Sequence, residues 1–79
     1  MATPEDNARR LMRDLVARKR QPNDVIQDAQ LQRIAAATGL VGAEQIAAIE
    51  YAGEKDWIGS GPRPGTVILT QAGWAAGMA

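Results

Sequence analysis

The sequence has no cysteine and no histidine among its 79 residues. Without thiols there is no disulfide framework and no thiolate metal site. Without imidazole, the commonest general base and the commonest transition-metal ligand are both missing. Carboxylates remain, and Asp24 with Asp28, or Glu50 with Glu54, stand one helical turn apart. Such pairs read as solvated helix faces, and no Ser, Lys or Tyr has an evident base partner. The expectation is a protein that is not an enzyme and takes no cofactor, no metal and no small-molecule ligand.

Long apolar runs are also lacking. None approaches the roughly 20 residues that span a bilayer, and the start Met1-Ala2-Thr3-Pro4-Glu5-Asp6 is polar and acidic, unlike a signal peptide. A cytoplasmic protein with no membrane partner is expected. The length fits one domain over residues 1–79, and 46% hydrophobic residues suffice for its core.

Net charge is zero, but it is unevenly placed. Residues 1–20 carry six cations (Arg9, Arg10, Arg13, Arg18, Lys19, Arg20) against three acids, a net +3. Residues 40–58 carry Lys55 against Glu44, Glu50, Glu54 and Asp56, a net −3. A nucleic-acid binder more often shows a basic excess.

Thr3-Pro4-Glu5-Asp6 is a helix start: a capping hydroxyl, a proline tolerated at the first position, and acids that suit the dipole. Ala8, Leu11, Met12, Leu15 and Val16 then form one apolar stripe. The predicted helix runs over about 4–20 and finishes on Arg18-Lys19-Arg20, where cations complement the C-terminal dipole. Pro22 ends it. Val25 and Ile26 form a short strand or only a turn. A second helix spans about 28–38, with Asp28 as preferred cap and Asp24 as the alternative, Leu31, Ile34 and Ala35 buried, and Gly39 in the left-handed closing position. In a third helix, about 43–57, Ile46, Ile49, Gly53 and Trp57 fall within a sector about 80° wide and read as the core face. Gly53 on that face suggests close packing against another helix. Glu44, Ala48, Tyr51 and Lys55 cluster opposite. Gly59 to Gly65 is a turn region, Thr66 to Thr70 alternates with Val67 and Leu69 inward, and a short helix over about 71–77 follows with Thr70 as its cap.

The segment Ile34-Ala35-x3-Gly39-Leu40 resembles the first helix and turn of a helix-turn-helix, with a turn one residue longer than in the tightest versions. Leu69-Thr70-x2-Gly73 resembles the signature that closes the wing in MarR-like bacterial winged-helix proteins. Glu54-Lys55-Asp56-Trp57-Ile58, the glycine-rich gap and Val67-x-Leu69-Thr70 follow the order of that family. The resemblance covers about residues 28–75. It implies a mainly α, α+β winged helix-turn-helix: three helices, a wing of two or three short strands over about 58–70, and a short C-terminal helix.

The resemblance also implies a function. In such proteins the third helix enters the major groove of double-stranded DNA and the wing tip reaches an adjacent groove or the backbone. By position, Glu44, Gln45, Ala48, Tyr51 and Lys55 would face DNA, Arg63 would be the wing-tip contact, and Arg9, Arg10 and Arg13 would flank the backbone. The expected function is a small DNA-binding protein connected with transcription. The competing class is a winged-helix module for protein interaction or homodimerisation, since the third helix is acidic and Ile68, Trp74 and the Ala75–Ala79 tail could form an apolar patch.

Overall fold

Thr3 opens the first helix, α1 (Pro4–Ala17), through a reciprocal cap. Its hydroxyl accepts from the Asp6 amide at 3.1 Å while the Asp6 carboxylate accepts from the Thr3 amide at 3.3 Å. The structure, a computed structural model, describes residues 3–79; Met1 and Ala2, part of the polar N-terminus read above, lie outside the described residues. Ala8, Leu11, Met12 and Leu15 are fully buried, and Val16 is half-buried at the margin of the stripe.

Helix α1 stops three residues before the expected end. Lys19 takes φ +68°, the Lys19 amide donates to Val16 O at 3.0 Å and the Arg20 amide to Leu15 O at 3.1 Å. This paired closure satisfies carbonyls that would otherwise be orphaned. Arg18-Lys19-Arg20 therefore lie at and beyond the helix end, and Arg18 binds Asp14 at 2.7 Å. The same closure recurs twice. It ends α2 (Asp28–Ala37) with Gly39 at φ +91°, and it ends α3 (Gly42–Glu54) with Asp56 at φ +58°. The residues that follow, Leu40 and Trp57, donate back to Ala35 O and Ala52 O.

Neither Asp28 nor Asp24 caps α2. Gln27 holds the cap position without a side-chain bond, because strand β1 (Val25–Gln27) runs straight into the helix. Gln27 still pairs with Thr66, and the Asp28 amide is taken by Gly65 O at 2.9 Å. Asp28 supplies its charge from inside the first turn, while Asp24 accepts from the Gln21 amide in the preceding turn.

Strands β2 (Ile58–Ser60) and β3 (Thr66–Leu69) complete an antiparallel sheet of order β1-β3-β2. Ile26 opposes Val67, and Ile58 opposes Leu69. These four face the core, with Ile26, Ile58 and Leu69 buried and Val67 packed against them. Val25 and Ile68 pair on the other face. The β2–β3 connection is tight. Thr66 N donates to Arg63 O at 3.2 Å, with Pro64 and then Gly65 at φ +77° between them, the signature of a type II turn.

Helix α4 (Gln71–Met78) starts where Thr70 accepts from the Gly73 amide at 3.0 Å; the same hydroxyl donates to Asp56 O. Glycine is required at two points on this helix. A Cβ on Gly73 would collide with the Trp57 carbonyl, and one on Gly77 would lie 2.8 Å from the Met12 carbonyl carbon and 2.7 Å from Val16 Cγ2. Helix α4 thus lies hard against α1, with Trp74 packed on the core.

The third helix departs most from expectation. It is shorter, Gly42–Glu54 rather than about 43–57, and its buried face centres on Ala48 and Ala52, about a third of a revolution from the expected one, with Ile49 half-buried at its edge. Ala48 and Ala52 are fully buried, whereas Ile46 is 59% exposed and Gly53 is exposed with nothing within 4 Å of where a Cβ would stand. Small side chains face inward because α3 lies directly against α1, where Leu11, Met12 and Leu15 already fill the space. The fold is mainly helical α+β, with four helices and one three-stranded sheet among the described residues.

Candidate interaction surface

One side of α3 meets the N-terminal half of α1 through a chain of side chains. Tyr51 and Trp57 form an edge-to-face pair with centroids 5.6 Å apart. The Arg9 guanidinium lies 5.2 Å from the Trp57 ring and Lys55 Nζ 5.6 Å from the Tyr51 ring. Tyr51 Oη donates to Glu5 at 3.1 Å, and Glu5 also accepts from Arg9 at 3.1 Å. Partial burial raises the Tyr51 pKa above 10.0, helped by the hydrogen bond to Glu5 and its charge, with Arg9 pulling the other way.

Of the nine residues expected on DNA, one is buried and five have partners within the chain. Ala48 is fully buried and has no surface to offer. Tyr51, Lys55 and Arg9 belong to the cluster that joins α3 to α1. Gln45 and Arg10 are likewise used inside the molecule: Gln45 Nε2 donates to Leu40 O at 2.9 Å and Gln32 O at 3.1 Å, and Arg10 donates to Thr38 O at 3.2 Å at the end of α2. Glu44, Arg13 and Arg63 are exposed. Arg13 and Arg63 make no side-chain hydrogen bond or ion pair among the described residues.

The face that α3 turns outward has a different character. Gly42, Ile46 and Gly53 are exposed along it, with Glu50 beside them and Ile49 half-buried between this line and the core. Ile46 is 59% and Val41, just before the helix, 63% exposed. This line runs into an open groove of about 480 Å³ between α3 and the sheet. Ile49 and Gly53 form one wall, Ile58, Gly59 and Val67 the other, and the carboxylates of Asp28 and Asp56 sit in the lining, which contains no Lys or Arg. Of the charged side chains on α3, Glu44, Glu50 and Glu54 are all exposed.

Val41, Ile46 and Glu50 are the surface residues that the hydrophobic periodicity assigned to the interior or passed over, whereas Ile49 and Trp57 are half-buried and pack against the core as it expected. The available signal was steric: Ala48 and Ala52 sit one turn apart, as two helices in close contact require. No helix of the described residues is long and apolar enough to cross a membrane. Compared with protein-family models, with curated proteins and with solved structures, the chain matches none.

Proposed function

We propose that this chain is a winged helix-turn-helix whose outward α3 face docks a protein. The element order α1-β1-α2-α3-β2-β3 and the strand order β1-β3-β2 support the winged-helix reading. So do the Gly39 turn between α2 and α3 and the tight β2–β3 wing.

The observation that carries the docking reading is the exposure of Ile46 on a face with Glu50 beside it and Asp28 and Asp56 in the adjoining groove. Phosphate neutralisation supplies nearly all non-specific DNA affinity, and here the helix that would enter the groove carries three glutamates and no Lys or Arg. Lys55, which follows the helix, lies over the Tyr51 ring. An apolar centre with a charged rim is the usual composition of a protein-binding patch.

DNA binding is the second reading, favoured by the exposed guanidinium of Arg63 on the wing. Titrating labelled random duplex at about 50 mM and then about 200 mM salt separates the two. The docking reading expects no binding in the micromolar range at the lower salt. Micromolar binding that collapses at the higher salt, and that Arg63→Ala weakens, would overturn it.

A further inference from the structure

We infer that the occupant of this face is a cationic amphipathic helix from another protein, an inference that rests on the docking reading above. Gly42, Ile46, Ile49 and Gly53 are spaced four, three and four residues apart, the spacing of the a and d positions along a helical seam. Exposed Ile46 and half-buried Ile49 stand in the middle, and glycines without a neighbouring atom within 4 Å of their Cβ positions stand at both ends. A seam this narrow matches one partner helix, whose larger side chains enter over Gly42 and Gly53 while Ile46 and Ile49 insert between its turns. The groove against Ile58 and Val67 extends the apolar contact beyond Gly53.

Charge specifies the rest of the partner. Glu50 borders the seam and Glu54 follows it one turn on, and Asp28 and Asp56 line the groove. None of the four forms an ion pair among the described residues, where the two pairs present are Arg9–Glu5 and Arg18–Asp14. A partner with lysines or arginines flanking its apolar stripe answers all of them, and steers its own approach. A second copy does not. A two-fold contact through α3 sets acid against acid. Helix α1, with three arginines against three acids, has its own apolar stripe buried, and α4, with exposed Met78, has no cation.

The test uses the intact protein and two labelled synthetic helical peptides of about 18 residues, long enough for five turns. One has leucine at a and d positions with lysine on the flanks; the other has glutamate in place of lysine. Fluorescence anisotropy reads affinity, amide chemical shifts read location, and sedimentation reads oligomeric state. The expectation is micromolar binding of the Leu/Lys peptide alone, weakened about tenfold or more between about 50 and 500 mM salt. Ile46→Asp, and separately Glu50→Lys with Glu54→Lys, each weaken it about tenfold or more, and shifts concentrate on α3, β2 and β3.

Equal binding of both peptides, lost in Ile46→Asp, overturns the cationic partner and leaves the docking reading standing. Failure of both peptides with a dimer that Ile46→Asp disperses does the same and names a second copy as the occupant. Failure of both with a monomer that binds duplex DNA overturns the docking reading itself. Leu/Lys binding that neither substitution weakens is charge attraction elsewhere on the protein, and overturns the inference.

Discussion

Ile46 and Ala48 lie two residues apart on the same helix, the first 59% exposed and the second fully buried. Enlarging the buried position is expected to destabilise: Ala48→Leu forces α3 away from α1 and costs about 1–3 kcal/mol. Ile46→Ser, at the larger and more hydrophobic side chain, changes stability by only about 0.5 kcal/mol or less. Urea unfolding of the two variants decides the matter. If Ile46→Ser proved the costlier, the helix would face the other way and the docking surface would vanish with it.

Gly53 supplies a prediction in which stability and binding part company. It occupies a helical position with open space around its Cβ direction, so Gly53→Ala is expected to stabilise by about 0.5–1 kcal/mol through backbone entropy alone. For a domain of this size that raises the melting temperature by about 4 °C. The same methyl stands in the seam, so affinity for the Leu/Lys peptide falls. A stabilised variant with unchanged peptide affinity would remove Gly53 from the contact.

Asp56 is strained where Gly39 is relaxed. Both sit in the left-handed position of the same helix closure, at φ +58° and +91°, but only glycine enters that region without a Cβ penalty. Asp56→Gly is expected to stabilise by about 1 kcal/mol in thermal or denaturant unfolding, with Asp56→Ala giving no such gain. Equal effects from both would mean that charge, and not backbone conformation, governs this site.

Much of the fold was legible because its signals are local. The Thr3 cap, the stripe from Ala8 to Leu15, Gly39 at a helix end and the Thr70 cap each depend on residues within one or two turns. The segment Leu69-Thr70-x2-Gly73 has visible chemistry in three dimensions: the Thr70 hydroxyl joins the end of α3 to the start of α4, and Gly73 admits the Trp57 carbonyl. The inner face of α3 was not legible from periodicity. Hydrophobicity ranks Ile46 above Ala48, but the gap beside α1 admits only the smaller side chain. Nor was the fate of Tyr51 and Arg9, because Tyr51 meets Glu5 and Arg9 meets Trp57 across the contact between α3 and α1, far apart in the sequence.

The two required glycines of α4 carry a prediction of the opposite sign to Gly53. Gly77→Ala pushes a methyl against Met12 and Val16 and is expected to cost about 1–3 kcal/mol. Gly73→Ala meets a carbonyl of the tight turn after α3 and costs at least as much. Hydrogen exchange should show the loss concentrated in α4 and the face of α1 it covers. A neutral Gly77→Ala would mean that α4 is not packed there in solution.

Tyr51 is the single tyrosine of the chain, so the ultraviolet absorbance of tyrosinate titrates one group. Its partial burial, its bond to Glu5 and the Glu5 charge all favour the neutral phenol and hold the folded pKa above 10.0. The folded protein therefore keeps this proton at pH values where the unfolded chain has lost it. The stabilising contribution is intact below about pH 10 and is lost as pH rises through the folded pKa. Glu5→Gln keeps much of the shape and removes the charge, and should bring the midpoint down. Tyr51→Phe should lose the part of the alkaline decline that belongs to this group, read as the difference between the two proteins' stability profiles. A folded-state midpoint at or below 10.0, or one indifferent to Glu5→Gln, would mean that the bond between α1 and α3 does not hold in solution, and would return Tyr51 and Lys55 to the open surface.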